Sequence, residues 1–313
     1  MDKLWLGYEA QVNLLQDRGM SVTDPTSAAE FLSRVNYYRL SGYFRYWQFD
    51  PKAGDNRFLD GSSFEAVQRL YETEQDLVAV CDEVPHPIEV LLRTRFAHYY
   101  AQRVGTKGAF ARGEGFTQPP DPNDERVQEH ALSNLDQSKE TFVSHYRDNI
   151  KTGSAYSVEA YARMPIWVAV EAFSFGSLSR LIEASGESGV LHDMADSMNV
   201  SPTTLPGQVR AFVYLRNRIA HCAKLWNHSV LDKPGLLPNI ARRAKKDHRQ
   251  FSDHSVYKIF VALDQIASKT GIQEDWLTTR VDPILATNDL LAAGIATPAR
   301  YGHMPTKLLL TCN

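Results

Sequence analysis

Cysteines and long apolar runs are both scarce in this chain of 313 residues. The three cysteines, Cys81, Cys222 and Cys312, are too few and too widely spaced for a disulfide framework, which predicts a reducing, cytoplasmic location. No stretch approaches the ~18 consecutive apolar residues of a membrane-spanning helix. The N-terminus carries charges where a signal peptide has its apolar segment. We therefore expect neither secretion nor contact with a membrane.

An excess of positive charge is also missing. Lys and Arg together number 34 and Asp and Glu number 37, which gives a formal net charge of -3. Because such a balance creates no general attraction for nucleic acid, any contact with RNA must come from local clusters of Lys and Arg. The sequence has no Gly-x-x-x-x-Gly-Lys-Ser/Thr loop, no Cys-x-x-Cys pair and no His-Glu-x-x-His pattern. We expect no cofactor and no metal site.

Alternating strand patterns are absent, and most of the sequence follows a helical period. The fold class is therefore predicted to be all-α. Capping-box patterns at Ser27–Glu30 and Ser62–Glu65 indicate two helix starts, and Pro87 and Pro165 suit the first positions of two further helices. The expected helices cover 5–18, 27–47, 64–82, 87–104, 124–150, 165–184, 207–223, 252–269 and 273–291.

Glycine and proline cluster in one stretch, 105–123, which is predicted to be a loop. It separates an N-terminal helical region, 1–104, from a helical core at 124–235 and a C-terminal helical extension at 236–313. The loop is not a long low-complexity linker, so one compact assembly is expected.

The predicted helix 207–223 carries the pattern Arg216-Asn-Arg-Ile-Ala-His221. At 100° per residue, Asn217 and His221 share one face, whereas Arg216 points into the arc of the apolar residues. A buried guanidinium cannot lose its proton and therefore needs an acid. Glu171, the acid in an otherwise apolar predicted helix, is the expected partner of Arg216.

An arginine, an amide and a histidine at one helix end suit phosphoryl chemistry. His221 can exchange protons near neutral pH, and Arg216 can hold a phosphate through two parallel hydrogen bonds. RNA supplies its own nucleophile, the 2′-OH, so no metal is required. The spacing alone is common, however, and it equally fits a solvated histidine near a helix C-terminus beside a structural ion pair.

Three sequence blocks resemble the AbiD/AbiF family of abortive-infection proteins, whose members contain HEPN domains. The blocks are Asn36-Tyr-Tyr-Arg-Leu-Ser-Gly-Tyr43, the segment from Pro165-Ile-Trp-Val to Glu171-Ala-Phe-Ser-Phe-Gly176, and Arg216-Asn-Arg-Ile-Ala-His221-Cys-Ala-Lys-Leu-Trp226-Asn227. The resemblance implies an HEPN-like helical bundle with additional N- and C-terminal helices. One departure is Lys224, which stands where the family commonly has Arg.

The same resemblance implies a metal-independent endoribonuclease toxin that acts in phage defence, with Arg216, Asn217 and His221 as its catalytic residues. Such sites generally need two facing motifs, so that one His takes the proton of the 2′-OH and the other protonates the 5′-oxygen. The products would be a 2′,3′-cyclic phosphate and a 5′-hydroxyl. A homodimer would supply both motifs, and a small structured regulatory RNA is a further implied partner beside the RNA substrate.

Two other functions remain open at this stage. The first is a catalytically silent RNA-binding protein that partners a small structured RNA, in which Arg216 and His221 only shape a groove. The second is an interaction module that blocks a phage component without touching RNA.

A second copy of the pattern occurs at Leu92-Arg93-Thr-Arg95-Phe-Ala97-His98. Arg93 again lies inside an apolar arc, and Arg93 and His98 are therefore second candidates for catalysis within one chain. Thr94 lacks the amide that Asn217 provides, and an amphipathic helix can produce this spacing by chance.

Two clusters are candidates for RNA contact. The aromatic block 36–47 is interleaved with arginines, which suits base stacking and phosphate binding, although a buried aromatic helix has the same composition. The run 242–249 is strongly basic and suits the RNA backbone, although a charge run is often only a solvated face. The individual candidates for RNA binding are Arg39, Arg45, Arg218, Lys224, Arg242, Arg243, Lys245 and Lys246.

Overall fold

Helices make up most of the chain, and the prediction of an all-α protein is confirmed. The computed structural model describes residues 5–310. The helices are α1 (Tyr8–Asp17), α2 (Pro25–Arg34), α3 (Tyr37–Phe44), α4 (Phe64–Cys81), α5 (Pro85–Arg103), α6 (Glu129–Gln137), α7 (Thr141–Tyr146), α8 (Ile166–Ala172), α9 (Phe175–Ala184), α10 (Val190–Ser197), α11 (Leu205–Ala220), α12 (Pro238–Asp247), α13 (Val256–Lys269), α14 (Asp282–Ala286), α15 (Asp289–Ala296) and α16 (Thr306–Leu310). Two short antiparallel hairpins pair β1 (Gln48–Asp50) with β2 (Asp55–Phe58) and β3 (Lys151–Thr152) with β4 (Ala155–Tyr156).

Four long predicted helices are broken. The expected helix 27–47 becomes α2 and α3 because the side chain of Asn36 accepts a backbone N–H and starts a new helix. The expected helix 165–184 becomes α8 and α9 in the same way, with Ser174 as the cap. The third, 124–150, is interrupted where the backbone turns extended between α6 and α7. The fourth, 273–291, is broken before α15, where the side chain of Asn288 accepts the backbone N–H of Leu291. A capping side chain offers the backbone an alternative to continuing the helix, which a helical period does not reveal.

Two predicted helix starts are slightly displaced. The cap of α2 is Asp24, whose Oδ1 accepts the N–H groups of Thr26 and Ser27 at 3.0 and 3.1 Å. The cap of α4 is Ser63 rather than Ser62.

A continuous hydrophobic core runs through the described helices. Within it α5 packs against α8 and α10, and α11 packs against α9 and α13. The C-terminal helices join the same core, since α14 and α15 contact α4. Among residues 5–310, no helix combines the length and the apolar character that crossing a bilayer requires.

Trp226 joins the segment after α11 to the C-terminal helices. Its side chain is fully buried, and its indole Nε1 donates to the carbonyl oxygen of Leu290 at 2.8 Å. The next residue, Asn227, accepts the backbone N–H of Ala299 at 2.9 Å. Both side chains lie directly against Gly294 in α15. This contact requires a residue without a Cβ atom.

Substituting Gly294→Ala is expected to destabilise the protein strongly. A Cβ at this position would lie 2.3 Å from Trp226 Nε1 and 2.9 Å from Asn227 Oδ1. Because both groups are held by hydrogen bonds, we expect the free energy of unfolding to fall by about 3 kcal/mol or more. Urea unfolding monitored by circular dichroism measures the change.

The matched control is Gly42→Ala in α3. A Cβ at Gly42 would have no neighbour within 4 Å, and alanine stabilises a helix interior by about 0.5–1 kcal/mol relative to glycine. Equal destabilisation by the two substitutions would contradict the packing that we describe.

Candidate active site

The predicted catalytic residues lie at the C-terminal end of α11. Asn217 and His221 are exposed, as their shared helix face predicts, and the side chain of Arg216 is 33% exposed. The backbone N–H of His221 donates to the carbonyl oxygen of Asn217 at 3.0 Å, which places the histidine at the helix end. Cys222 then takes a positive φ of 50° and turns the chain away. Arg, amide and imidazole groups therefore share one accessible helix end.

Arg216 is held by three neighbouring groups. Its Nη2 lies 3.3 Å from Oε2 of Glu89, and its Nη1 donates to Oδ1 of Asn217 at 3.1 Å. The guanidinium carbon lies 5.7 Å from the ring centre of Phe175, which allows a cation–π contact. The arginine does have a carboxylate partner, and that partner comes from α5.

The prediction that Glu171 pairs with Arg216 is wrong. Glu171 is exposed near the end of α8, and the carboxylate beside Arg216 belongs to Glu89. The physical reason is the break between α8 and α9. Because the helix breaks there, it is α9 that packs against α11, and Glu171 near the end of α8 is left exposed.

Glu89 also binds the arginine of the second motif copy. Arg93 forms an ion pair with Oε1 of Glu89 and donates a further hydrogen bond to the carbonyl oxygen of Val170. The side chains of Glu89 and Arg93 are 12% and 11% exposed. One carboxylate therefore lies between the arginines of the two motifs and contacts one with each oxygen. Two guanidinium groups around one carboxylate leave one positive charge uncompensated.

The two histidines are not brought together in the same way. His98 is exposed on α5, where its ring contacts the neighbouring Tyr99. Among residues 5–310, neither a hydrogen bond nor a ring contact joins His98 to His221. Within one chain the arginines converge and the imidazoles do not.

Glu74 fixes the chain that follows His221. Its carboxylate is 1% exposed, and its Oε1 accepts the backbone N–H groups of Leu225 and Trp226, both at 2.6 Å. Oε2 accepts a hydrogen bond from the hydroxyl of Tyr43. Burial raises the pKa of Glu74, and these hydrogen bonds act in the opposite direction. A buried carboxylate thus ties α3, α4 and the segment after α11 to one another.

Lys224 lies in a cage of aromatic rings. Its Nζ donates to the carbonyl oxygen of Gly42 at 2.6 Å and lies 5.1–5.2 Å from the ring centres of Tyr43, Tyr46 and Trp226. Burial lowers the pKa of this ammonium group to about 8. The limited space between the three rings suits the compact head of a lysine side chain.

Arg218 also has a structural role. Its guanidinium donates to the carbonyl oxygen of Lys224 and lies 5.7 Å from the ring centre of Tyr214, and burial lowers its pKa. Arg218 and Lys224 are thus both engaged by groups of the protein, and their contact with the RNA backbone stays a prediction.

The other predicted RNA-binding residues differ in accessibility. Arg39 is exposed, and it donates to the carbonyl oxygen of Cys222, beside His221. Arg45 is half-buried with its guanidinium carbon 5.3 Å from the ring centre of Tyr301.

On α12, Lys245 lies over the ring of Phe251 at 5.0 Å. The fully exposed cations of α12 are Arg242, Arg243 and Lys246.

Sequence reasoning missed the two carboxylates that organise this region. Glu89 lies four residues before Arg93, a spacing that places opposite charges side by side on a helix and that could have identified the pair. Glu74 occupies the apolar face of α4 that carries Leu70 and Leu77, so it is an acid in a core stripe. The same reasoning that singled out Arg216 applies to Glu74.

No group of three or more His, Cys, Asp or Glu side chains arranged to hold a metal occurs between residues 5 and 310.

A family model described as Abi-like protein matches residues 30–227, which is more than half of the chain. The match begins in α2 and ends at the segment that Glu74 fixes, so it contains both motifs and both carboxylates. Comparisons with curated proteins and with solved structures found no match.

Removal of the shared carboxylate by Glu89→Gln is expected to destabilise the protein. Arg93 and Arg216 would lose their common counter-charge in a largely buried position, which costs about 3 kcal/mol of unfolding free energy. Urea unfolding at pH 7 measures this loss. The matched control is Glu171→Gln, which is expected to change the free energy by less than about 0.5 kcal/mol because the side chain is exposed. A greater loss of unfolding free energy in Glu171→Gln than in Glu89→Gln would support the pairing of Glu171 with Arg216 instead.

Lys224 is expected to make stability depend on pH in a defined window. Its pKa is about 8 in the folded protein against 10.5 for an unperturbed lysine. The unfolded chain therefore binds the additional proton between these values, and unfolding becomes less favourable as pH rises through the window, by at most about 1.4 kcal/mol per pH unit. The comparison of wild type with Lys224→Met between pH 8 and 9.5 should show that the variant lacks this rise. Substitution of the exposed Lys246→Met should retain the wild-type slope, and a wild-type slope in Lys224→Met would contradict the buried charge.

Proposed function

The chain belongs to the Abi-like family, which gives it a role in abortive infection and so in defence against phage, and from this premise we propose that it is a metal-independent endoribonuclease of the HEPN type. The substrate would be RNA, because RNA carries the 2′-OH that replaces an activated water or a metal-bound nucleophile.

The observation that carries this proposal is the arrangement at the end of α11. Arg216, Asn217 and His221 stand together on an accessible helix end whose continuation is fixed by Glu74. Glu89 orients Arg216 without burying it. A rigidly supported set of this kind meets the geometric demand of catalysis, in which reacting groups are held before substrate arrives.

The chemistry assigns one role to each group. His221 accepts the proton of the 2′-OH as that oxygen attacks phosphorus, and Arg216 stabilises the additional negative charge of the pentacovalent state. Asn217 holds the guanidinium in place through Oδ1. The bond from phosphorus to the 5′-oxygen then breaks, a second histidine gives its proton to that oxygen, and the products are a 2′,3′-cyclic phosphate and a 5′-hydroxyl.

A second copy of the chain is the proposed source of the second histidine. Arg93 is largely buried and committed to Glu89 and Val170, so we assign to it the positioning of Glu89 rather than contact with phosphate. A homodimer that places His221 of each chain opposite the other completes the site. His98 remains the alternative, because it is exposed and belongs to the same chain.

A second function is a catalytically silent RNA-binding protein that partners a small structured RNA. The contact between Glu89 and Arg216 favours it, since a guanidinium already paired with a carboxylate attracts phosphate less strongly. In either function the exposed cations of α12, Arg242, Arg243 and Lys246, are the proposed contacts for the RNA backbone.

The test of the proposal is cleavage of RNA in the presence of EDTA. Wild type is expected to cleave, and His221→Ala is expected to lose at least about 100-fold in rate, which is the lower range of general acid–base catalysis. The 3′ ends of the products should carry cyclic phosphate, detectable by mass spectrometry. No cleavage by the wild-type protein together with retained RNA binding would favour the silent protein.

Two further histidine variants control the assignment. His98→Ala is expected to retain cleavage if the second histidine comes from another chain, and a loss with intact folding would support a site built within one chain. His303→Ala removes an exposed histidine far along the sequence and should have no effect. Undiminished cleavage by His221→Ala would refute the catalytic assignment.

A further inference from the structure

A pocket of about 670 Å³ opens between α1, α3 and the hairpin of β1 and β2. Leu14 and Phe44 contribute apolar surface, whereas Tyr37, Tyr38, Arg18 and Arg45 contribute rings and positive charge. The volume lies within the range of small-ligand sites in proteins. The proposed catalytic groups of α11 do not line it.

Two side-chain carbonyl oxygens among the lining residues have no hydrogen-bond donor. Gln48 is 4% exposed, and its Nε2 donates to the backbone of Asn56 at 3.1 Å while its Oε1 has no partner. Gln11 repeats the arrangement, with Nε2 bound to Leu6 and a buried Oε1 that has no partner. A buried acceptor without a donor is costly and rare in folded proteins. A ligand with an N–H group would satisfy either oxygen once a shift of the glutamine side chain opens it to the pocket.

The charge of the pocket differs from that of two other surface pockets in residues 5–310. Its lining contains Arg18 and Arg45 and no carboxylate. One of the others includes Glu125 and Glu183, and the remaining one includes carboxylates of α1 and α2. Positive charge without acid favours a ligand that carries phosphate.

Tyr38 presents an aromatic face at the edge of the pocket. Its side chain is 78% exposed, although large apolar rings are usually covered in folded proteins. Its backbone N–H is bound by the cap Asn36, so the residue belongs to a well-defined helix start. An exposed ring beside arginines is the arrangement on which unpaired bases stack.

Helix α3 connects this pocket to the proposed active site. At 100° per residue, the pocket residues Tyr37, Ser41 and Phe44 share one face, and Arg39 and Tyr43 lie on the opposite face. That opposite face contacts the segment after His221, because Arg39 donates to Cys222 and the ring of Tyr43 stacks on that of Trp226. The pocket and the end of α11 thus lie on two sides of one short helix.

We propose that this pocket binds one unpaired nucleobase of the RNA. The base stacks on Tyr38, an N–H group of the base donates to Oε1 of Gln11 or Gln48 after that side chain shifts toward the pocket, and Arg18 and Arg45 attract the adjoining phosphates. The inference rests on the proposed function for the identity of the polymer. It adds a subsite that positions a nucleotide at a distance from the scissile bond and contributes to the choice of cleavage site.

The first test measures binding rather than cleavage. The probe is a fluorescein-labelled, unstructured RNA of about 12 nucleotides in which every sugar is 2′-O-methylated, so that no nucleophile is present. Fluorescence anisotropy should show about tenfold weaker binding by Tyr38→Ala, because loss of one stacked base costs this order of affinity. Tyr38→Phe keeps the ring and should bind as wild type does.

The matched control is Phe49→Ala. Phe49 is an exposed aromatic residue of the neighbouring hairpin and does not line the pocket. Its removal should leave affinity unchanged. Equal affinities of Tyr38→Ala and Tyr38→Phe, or an equal loss in Phe49→Ala, would overturn the proposal, and so would the absence of any binding by wild type.

The second test removes the base instead of the ring. Abasic positions placed one at a time along the probe should identify one position whose loss weakens binding to wild type by a similar factor. In Tyr38→Ala the same abasic position should weaken binding little further, because the substitution has already removed the ring on which that base stacks. If the loss of affinity from the abasic position multiplies with the loss from Tyr38→Ala, the pairing of Tyr38 with that base is overturned.

These results are separable from the fate of the proposed function. If Tyr38→Ala weakens binding of the probe as expected and the protein cleaves no RNA, the proposal for the pocket is supported and the nuclease is rejected. If cleavage in EDTA depends on His221 but Tyr38→Ala binds the probe as wild type does, the nuclease is supported and the proposal for the pocket is rejected.

Discussion

The burial of Glu74 is the constraint on which the candidate site depends. A carboxylate with almost no contact with water needs strong donors, and it obtains them from two successive backbone N–H groups after α11 and from the hydroxyl of Tyr43. These bonds determine where the chain leaves α11 and therefore where His221 stands. The Leu225–Asn227 end of the motif consequently belongs to the architecture of the site, since Trp226 and Asn227 also hold the C-terminal helices.

A second carboxylate, Glu89, performs the corresponding task for the arginines. It gathers Arg93 and Arg216 from two different helices and leaves part of Arg216 accessible. The arginines of the two similar motifs thereby have unequal positions, since Arg93 is largely buried and Arg216 lies at an open helix end. This asymmetry is the physical basis for assigning Arg93 to support and Arg216 to phosphate. The proposed second histidine from another chain is compatible with this arrangement, in which His98 and His221 are not in contact.

Helix α3 connects the two halves of the functional region. One of its faces holds the segment after His221 through Arg39 and Tyr43, and the other lines the pocket that contains Tyr38. If RNA binds as we propose, the pocket that holds one base and the site that cleaves the strand are both positioned by α3. The aromatic block of the N-terminal third therefore has two uses, since some rings form the interior and Tyr38 remains exposed.

The sequence by itself determined the all-α class, the place of the motif on a helix, the outward position of Asn217 and His221 and, through three blocks, the family. It also indicated that Arg216 needs an acid, because helical periodicity reports which side chains point inward along one continuous helix. Only the tertiary structure decided which acid that is, where the long helices break and which cations are covered. Glu89 in place of Glu171, and Lys224 among aromatic rings, depend on contacts between residues far apart in the chain, and periodicity within one helix carries no information about them.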